Sequence, residues 1–489
     1  MRITLSLLAL GTALTYASPA TDTSGLIRTP IYRKSRTVGE FLTARRKESI
    51  TKRAQAQTSL YNDAGSQYLI QVGIGTPPQQ FAVTLDTGSA DLWVPSSACP
   101  TSACPYERFD QSKSSTFKAL NQDFGVRYGI GNVNGTYATD TVTVAGTTVK
   151  NQQFGLATST NDILTTPTLG GGTVPIGDMN GDGVTADGIL GMGYPRLTAA
   201  TNNGQQPYNP VVFNMVAQKL ISQPIFSIYL NKADASGWAG EIIFGGVDQS
   251  KYTGDLVYLP VASITTQSSG PLDKLFGSSS NDASYYYWMV YGQGLQIQGG
   301  LSNASFQFGS TTGFIFDTGT TLTYLPSDIA TEIVTAVAGS GNFLQDTQQG
   351  VFDVSCAAAS SQATIVFQMS SSQQSSSNPV TFTIPASQLI IPLDGTTASQ
   401  AKQCIFGIAP SPKSSLNSQT FLIGDSVLRS AYLVFDLGKN QIGIAAANGL
   451  SGAVNGINAT PLNGAATVSS AFAFVATTVM GSLVMWLSL

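Results

Sequence analysis

The chain has 489 residues, of which 24 are Lys or Arg and 28 are Asp or Glu, and it contains no histidine. The lack of imidazole excludes Ser-His-Asp and Cys-His nucleophilic catalysis, histidine general bases and histidine metal ligands. A charged fraction of 11%, a hydrophobic fraction of 42% and 50 glycines are typical of a β-rich chain with a large buried core. If the chain is an enzyme, its carboxylates are the expected proton-transfer groups.

Charge is unevenly distributed along the chain. Residues 1–53 hold ten basic and three acidic residues, whereas the remainder holds 14 basic and 25 acidic residues, a net charge of −11. A body this acidic repels phosphate backbones, so we expect no nucleic-acid partner.

The amino-terminal region resembles a secretory leader. Arg2, the apolar run 3–14 and the small residues Ala17 and Ala20 predict a signal peptide over residues 1–20. Residues 21–53 form a basic segment that ends in Lys52-Arg53, a pair of the kind that processing proteases of the secretory pathway cut. We predict a propeptide here; the alternative is a solvated arm with a chance Lys-Arg pair.

The body of the chain is predicted to be mainly β, with few helices. Apolar runs bounded by turn residues predict strands, and two segments with helical spacing predict short helices, one of them capped by Ser327. In chain order these are strands at Tyr68–Ile74, 81–85 and 141–144, a helix within 210–220, a strand at 313–316, a helix from Ser327 and a strand at 431–435. Two serine-rich stretches, 263–284 and 370–377, are expected to be surface insertions.

Two segments of the body repeat each other. Residues 86–95 read DTGSADLWVP and residues 317–326 read DTGTTLTYLP, an offset of 231. A second landmark, Ile-Leu-Gly at 189–191 and Leu-Ile-Gly at 422–424, has an offset of 233. Two landmarks in nearly the same phase predict two related β-rich lobes, which we place at 54–245 and 246–450.

The four cysteines fit an oxidising compartment. Cys99, Cys104, Cys356 and Cys404 allow three pairings, of which we favour the sequential one, and neither close pair has the spacing of a zinc site. No metal or cofactor is expected. Three triplets are candidate N-glycosylation sites in a secreted chain, at Asn134, Asn303 and Asn458.

One segment begins like an EF-hand calcium loop. Asp178, Asn180 and Asp182 follow that pattern, but the twelfth position is Ile189, where the loop needs a bidentate glutamate. We therefore interpret the segment as a polar turn.

The carboxyl-terminal end resembles an attachment signal. No charged residue follows Lys439, and residues 471–489 are apolar. Small residues and a short uncharged spacer precede that run, which favours a glycosylphosphatidylinositol (GPI) signal with Asn463 as candidate attachment site, although sites within 451–458 stay open. We take 451–470 as the linker. The alternative is a tail-anchored helix, which normally carries a basic cytoplasmic flank that is missing here.

The paired Asp-Thr-Gly motif indicates carboxylate chemistry. Each copy places one aspartate, Asp86 or Asp317, on a tight glycine-containing turn after an apolar strand, and a pseudo-twofold axis can bring the two together. Two adjacent carboxylates do not both ionise easily, because the negative charge of one disfavours the ionisation of the other. A singly protonated pair can take a proton from water and give one to a carbonyl oxygen, which allows amide hydrolysis without histidine or metal.

With these motifs the sequence closely resembles the pepsin-like aspartic proteases, specifically secreted fungal members with a GPI signal, over about residues 60–450. The resemblance implies a bilobal, mainly β fold with a cleft between the lobes, and aspartic endopeptidase activity. It also implies roles for individual residues. These are Asp86 and Asp317 as catalytic pair, Thr87, Gly88, Ser89, Thr318, Gly319 and Thr320 as their support, and Tyr128, Gly129, Ile130, Gly131, Asn132 and Trp93 as flap and substrate-binding residues.

The resemblance extends to the cysteines and to the basic segment. Cys99–Cys104 and Cys356–Cys404 match two bridges of pepsin, whose third bridge has no counterpart here. The segment before Arg53 is similar to the inhibitory propeptide, whose positive charge is expected to pair with the acidic body and to loosen when carboxylates become protonated in acid.

The flap departs from the family pattern at two positions. Ile130 stands where relatives often have Thr, Ser or Asp, and Asn132 stands where Ser or Thr is usual. The lack of an aspartate favours hydrophobic residues around the scissile bond over the basic-residue specificity of yapsin-type relatives.

We therefore expect a monomeric acid endopeptidase made as a zymogen, acting on polypeptides and tethered by GPI at the plasma membrane or cell wall, with part released. Two alternatives come from other classes: a catalytically silent cell-surface binding or structural protein of the same fold, and a glycosidase with two carboxylates. Full activity of an Asp317→Asn variant would contradict the protease assignment. The absence of cleavage by a folded, propeptide-free sample would favour the first alternative, and release of reducing sugar that pepstatin does not inhibit would favour the second.

Overall fold

The computed structural model describes residues 26–33, 68–129, 131–167, 173–175, 186–231, 237–263, 284–347, 349–394, 397–411 and 420–458. Several predictions fall outside these ranges: the signal peptide, most of the propeptide, Ile130, the calcium-like turn before residue 186, most of the 263–284 stretch, Asn463 and the apolar tail. No helix within the described ranges is both long and apolar enough to cross a membrane.

The first half of the molecule is built almost entirely of strands. They are β1 (Ile27–Arg33), β2 (Tyr68–Ile74), β3 (Gln79–Asp86), β4 (Leu92–Pro95), β5 (Lys118–Arg127), β6 (Asn132–Val144), β7 (Thr147–Asn161), β8 (Thr165–Pro167), β9 (Thr173–Pro175), β10 (Gly188–Gly191), β11 (Ile225–Leu230) and β12 (Gly237–Phe244). Its helices are α1 (Ala199–Asn202), α2 (Val211–Ala217) and the 3-10 turns Gln111–Lys113 and Pro195–Leu197.

The second half follows the same plan. Its strands are β13 (Tyr252–Pro260), β14 (Met289–Gln298), β15 (Ala304–Phe316), β16 (Thr323–Leu325), β17 (Phe343–Asp346), β18 (Val351–Val354), β19 (Thr364–Ser370), β20 (Val380–Pro385), β21 (Ile390–Pro392), β22 (Cys404–Phe406), β23 (Ile408–Pro410), β24 (Thr420–Ile423), β25 (Ala431–Asp436), β26 (Gln441–Ala447), β27 (Ala453–Val454) and β28 (Ile457–Asn458). The helices are α3 (Ser327–Ala338), α4 (Asp425–Leu428) and the 3-10 turns Gln249–Lys251, Cys356–Ser360 and Ala386–Leu389.

The two halves repeat one strand arrangement around each Asp-Thr-Gly motif. In the first half β10 lies between β3, to which it is parallel, and β4, to which it is antiparallel. In the second half β24 lies in the same way between β15 and β16. The second landmark of the sequence repeat thus forms the strand next to each active-site loop, and the prediction of a mainly β, two-lobed body is confirmed.

A shared sheet joins the halves beneath these loops. Strands follow the order β13-β26-β25-β11-β12-β1-β2-β3, and Phe226 of β11 pairs with Phe435 of β25. These two rings stack with centroids 4.6 Å apart, and the Phe435 ring also contacts the Trp288 ring edge-on at 5.1 Å. The aromatic packing gives both loops one rigid base.

Most predicted elements are present, with longer or shifted bounds. The strand at 141–144 is the end of the 13-residue β6, and α2 covers only part of 210–220. One detail is wrong: Ser327 is the first residue of α3 and provides no cap, because the N-cap position is Pro326. The helix buries one apolar face, which includes Ile329, Ile333, Val334 and Val337. Residues 370–377 form the β19–β20 connection, largely exposed apart from Ser370, and β27 and β28 lie beyond residue 450.

Candidate active site

Two equivalent turns present Asp86 and Asp317. Asp86 ends β3, and its two carboxylate oxygens accept hydrogen bonds from Gly88 N at 2.8 Å and from Ser89 Oγ at 2.5 Å. In the other half, Asp317 accepts from Gly319 N at 2.8 Å and from Thr320 Oγ1 at 2.7 Å. The two loops therefore hold their carboxylates by the same pair of donors, a backbone amide and a hydroxyl.

The threonines of the motif join the two loops. Thr87 Oγ1 donates to Phe316 O at 2.7 Å, and Thr318 Oγ1 donates to Leu85 O at 2.9 Å. Each hydroxyl also accepts from the other threonine's amide, at 3.0 and 3.2 Å. Because these reciprocal bonds are buried, they fix the two turns relative to each other.

The glycines of the motif make room for the opposite aspartate. A Cβ atom at Gly88 would lie 2.4 Å from Cγ of Asp317, and one at Gly319 would lie 2.3 Å from Oδ1 of Asp86. Each carboxylate thus rests against the glycine of the other lobe, and the structure brings together the two aspartates that the sequence predicts as a pair.

Burial and proximity shift both carboxyl groups. Asp86 is 4% exposed and Asp317 is 7% exposed. Burial, together with the negative charge of Asp86, raises the pKa of Asp317 well above its ordinary value. Burial also raises the pKa of Asp86, against the opposing effect of its hydrogen bonds with Ser89, Asp317 and Gly88. The pair can therefore retain a proton while one carboxylate is ionised.

A hairpin of β5 and β6 carries the predicted flap residues. Tyr128 N donates to Gly131 O at its turn, and Trp93 Nε1 donates to Tyr128 Oη at 2.9 Å. Burial and the negative charges of Asp86 and Asp91 raise the pKa of Tyr128 well above its ordinary value. Gly129 is exposed at the turn.

The end of β7 supports the flap tip. A Cβ atom at Gly131 would lie 2.0 Å from Asn161 O, so only glycine fits against this backbone. Asn132, half-buried, begins β6 and pairs with both Arg127 and Asn161. The side chain of Ile130 lies outside the described residues.

The remaining predicted sites are dispersed. The disulfides Cys99–Cys104 and Cys356–Cys404 are both formed, which confirms the sequential pairing. Asn134 is exposed on β6, and Asn303 is exposed at the β14–β15 connection, where its Oδ1 accepts from Gly299 N at 3.1 Å. Asn458 lies in β28.

Part of the basic segment is a strand of the shared sheet. β1 lies between β12 and β2, and Arg28 Nη1 lies 2.6 Å from Asp248 Oδ2 and 3.8 Å from Glu241 Oε1. Lys251 also contacts Glu241, at 3.4 Å. The expected pairing between the basic segment and the acidic body is thus present at Arg28.

Two further residues near the aspartates, Tyr287 and Asp91, are not among those predicted from the sequence. Burial and the charges of Asp317 and Asp86 raise the pKa of Tyr287, a residue of the second lobe, to about 12. Asp91 is buried five residues after Asp86. The available signals were an aromatic run at 285–288 and a charged residue inside the otherwise apolar stretch ADLWVP.

Comparisons with known proteins agree with this geometry. Residues 67–447 match the family model described as eukaryotic aspartyl protease. The chain is 33% identical to mucorpepsin of Rhizomucor miehei over 78% of each chain. It is 32% identical to pepsin A of Suncus murinus over 80% of this chain and 83% of that protein, and 32% identical to gastricsin of Homo sapiens over 79% and 82%. The chain therefore belongs to the pepsin-like eukaryotic aspartyl proteases and is an aspartic-type endopeptidase.

Proposed function

We propose that the protein is a secreted endopeptidase that hydrolyses peptide bonds at acid pH through Asp86, Asp317 and a water molecule that they activate. The observation that carries this proposal is the contact of each carboxylate with the other lobe's glycine, Gly319 or Gly88, which leaves the two acids adjacent and equivalently bonded. The intact pair, the flap tyrosine and the protease relatives do not favour a catalytically silent protein.

The reaction follows from one shared proton. The ionised carboxylate accepts a proton from water while the water oxygen adds to the peptide carbonyl carbon, and the protonated carboxyl group donates its proton to the carbonyl oxygen. Collapse of this tetrahedral intermediate breaks the carbon–nitrogen bond. The leaving amine takes the proton of the pair, and one hydroxyl of the intermediate returns a proton to the ionised carboxylate, which forms the carboxylic acid product and restores the singly protonated pair. Ser89 and Thr320 hold the outer carboxylate oxygens during these transfers.

Acid pH is supported by the environment of the pair. Both carboxyl groups have raised pKa values because they are buried, and Asp317 also faces the charge of Asp86. The active form of the pair has lost one proton and keeps the other. Activity is therefore expected to fall when the second proton leaves at higher pH.

A preference for hydrophobic residues is supported by the aromatic side chains near the pair. The charge of Asp86 contributes to the raised pKa of both Tyr128 of the flap and Tyr287 of the second lobe. Aromatic rings offer apolar contact area to a substrate side chain. The lack of an aspartate at Ile130 adds to this preference from the sequence.

A zymogen form is supported by β1. This strand belongs to the basic segment that precedes Arg53, and it pairs with β12 over seven residues. We propose that residues 21–53 inhibit the enzyme until cleavage after Lys52-Arg53, and that protonation of Asp248 in acid weakens the ion pair with Arg28.

Tethering at the cell surface rests on the sequence of the tail. The apolar residues 471–489 and the small residues from Asn463 favour GPI attachment to the membrane or wall, with part of the protein released. Phosphatidylinositol-specific phospholipase C should release the protein from intact cells. Release only by detergent would favour a tail-anchored helix.

The central experiment measures cleavage of an unfolded protein between about pH 3 and pH 7, with and without the aspartic-protease inhibitor pepstatin. The variant is Asp317→Asn, and the matched control is Asp328→Asn, which changes an exposed aspartate in the first turn of α3. We expect acid-limited cleavage that pepstatin and Asp317→Asn abolish and Asp328→Asn retains.

Two results would contradict the proposal. Full activity of Asp317→Asn would exclude the dyad mechanism, and the absence of cleavage by a folded sample without propeptide would favour a binding or structural role. Sequencing of the products tests specificity separately, because cuts beside Lys or Arg would contradict the hydrophobic preference while leaving the mechanism intact.

A further inference from the structure

Asp91 is a buried carboxylate that the catalytic pair does not use. It lies between β3 and β4 and is 2% exposed. Its Oδ1 accepts from Tyr137 Oη and from Tyr208 Oη, both at 2.7 Å, and its Oδ2 accepts from Ala199 N at 2.8 Å. A buried charge with three hydrogen bonds and no cation among the described ion pairs is unusual, because burial normally requires a counter-charge.

These three donors come from different parts of the first lobe. Tyr137 is in β6, the second strand of the flap hairpin, whereas Tyr208 is in the loop before α2 and Ala199 begins α1. The backbone of Asp91 is fixed as well, since its carbonyl accepts from Gly191 N at 3.0 Å. Asp91 therefore connects the active-site loop to the flap.

The flap is attached to this loop at two levels. Trp93 bonds the hydroxyl of Tyr128 near the tip, and Asp91, two residues earlier, bonds Tyr137 farther along the hairpin. The Tyr137 ring packs edge-on against Phe124 of β5 at 5.2 Å and against Tyr208 at 5.5 Å. A change at Asp91 can thus reach both strands of the hairpin through packed aromatic rings.

The hydrogen-bond pattern suits an ionised Asp91, whereas its burial favours the neutral form. Burial raises the pKa of Asp91, and the bonds from Ala199, Tyr208 and Tyr137 oppose that rise. The titratable groups around it are Tyr137 and Tyr208, which donate to it, and the flap Tyr128, on which its charge acts. Asp86 is five residues away in the same loop. Protonation removes the charge that strengthens these three hydrogen bonds and places a hydrogen on one carboxyl oxygen, so a tyrosine hydroxyl has to reverse from donor to acceptor or turn away.

We propose that Asp91 is a positioning residue of the flap: its ionised carboxylate holds β6 against the active-site loop, and its protonation loosens the flap. The inference rests on the proposed function in one respect, that the hairpin covers the reacting atoms. The same acidity that protonates the catalytic pair would then also ease substrate entry and product release.

The test is hydrogen exchange of the flap peptides, residues 118–144, measured in the purified protein from about pH 3 to pH 7 and corrected for intrinsic exchange. Asp91→Asn mimics the neutral state. Its NH₂ group is a hydrogen-bond donor, and it would point at one of the three groups (Tyr137, Tyr208 and Ala199) that donate to the carboxylate in the wild type. We expect flap exchange about tenfold faster than in the wild type near pH 7, the effect of losing one charge-assisted hydrogen bond, and convergence of the two proteins in acid.

Asp140→Asn is the matched control. Asp140 is 1% exposed and lies on the same strand, but its Oδ1 accepts from Thr116 Oγ1 and Thr141 N, away from the active-site loop. We expect Asp140→Asn not to reproduce the roughly tenfold acceleration, because none of the described hydrogen bonds of Asp140 reaches the active-site loop. If Asp91→Asn does not fold, Tyr208→Phe removes one donor without changing the loop or the flap, and a smaller effect with the same pH dependence is expected.

If flap exchange in Asp91→Asn is faster by the same factor at all pH values, the proposal is overturned and Asp91 is a structural residue. Unchanged flap exchange in both Tyr208→Phe and Asp91→Asn would also overturn it. Exchange requires no substrate, so this result is independent of the proposed function. A protein that cleaves nothing but shows the pH-dependent flap response would contradict the proposed activity alone. In an active protein, Asp91→Asn should shift the high-pH limb of the kcat/KM profile, while acid-limited cleavage by the catalytic pair is retained.

Discussion

Gly88 lies directly against Asp317, so closely that a Cβ atom at Gly88 would come within 2.4 Å of the carboxyl carbon. The φ angle of Gly88 is not in the left-handed region, so the backbone itself would accept another residue. The three atoms nearest to an added Cβ all belong to the Asp317 carboxyl group. Each Asp-Thr-Gly motif therefore needs glycine because the aspartate of the opposite lobe lies against it.

The first prediction follows from this contact. Gly88→Ala should reduce kcat/KM by about 100-fold or more, because a displacement of about 1 Å at a reacting group is enough for such a loss. Initial rates on a peptide substrate measure it, and thermal unfolding shows whether the fold is kept. Gly146→Ala is the control: Gly146 has a φ of +77° but nothing within 4 Å of an added Cβ. It should lower stability slightly and leave activity intact; the reverse pattern would contradict the prediction.

The second prediction concerns stability against pH. The pKa of Asp317 is raised in the folded protein, so its contribution to stability is fully present below the pKa of the unfolded chain and is lost as pH rises through the folded value. Asp317→Asn removes this loss. Relative to the wild type, the variant should therefore become progressively more stable from about pH 4 to pH 7.

Urea unfolding of both proteins across that range measures this difference. Because only the difference between them is used, carboxylates that do not contact Asp317 do not affect it, and the measured difference belongs to the pair of Asp86 and Asp317. A difference that stays constant with pH would show that Asp317 has an ordinary pKa.

The third prediction concerns release of the basic segment. Burial disfavours the charge of Asp248, but bonds from Ser250 and Arg28 hold its pKa below the ordinary value. Its stabilising effect is therefore present above the unfolded pKa and is lost as pH falls through the folded one. Asp248→Asn should release residues 21–53 faster and at higher pH, as followed by mass spectrometry.

Asp110→Asn provides a matched control for that experiment. Asp110 accepts from Ser112 N and Oγ just as Asp248 accepts from Ser250, but its ion-pair partner is the neighbouring Lys113. The same turn is therefore weakened without loss of the contact with Arg28. Equal acceleration in both variants would show that the ion pair to β1 is not what retains the segment.

The fourth prediction compares the two disulfides. Cys356–Cys404 has a sequence separation of 48 and Cys99–Cys104 a separation of 5. In the chain-entropy description, their removal costs about 4 and about 2 kcal/mol respectively. Urea unfolding of the paired Cys→Ser variants measures both losses. An equal or larger loss for the short loop would show that native packing around Cys99 outweighs chain entropy.

Sequence reasoning reached the fold class and the catalytic pair through repetition. A single Asp-Thr-Gly turn has many meanings, but two copies in phase with two Ile/Leu-Gly landmarks require duplicated lobes. The strands that carry Asp86 and Asp317 were predicted because their apolar runs are continuous. The bounds of β6 and α2 were less accurate, since pairing partners and tertiary packing set where such elements end.

By itself, the sequence determined which residues carry the chemistry: two carboxylates, their hydroxyl partners and a tyrosine, in a chain without imidazole. Only the tertiary structure decided which groups face one another across the lobes. Tyr287 is distant in sequence from Asp86, and Asp91 is distant from the three groups that donate hydrogen bonds to it. No local sequence pattern encodes such contacts. Burial, which shifts the pKa values of Asp86, Asp91 and Asp317, likewise arises only when the lobes pack around them, because it depends on residues far along the chain.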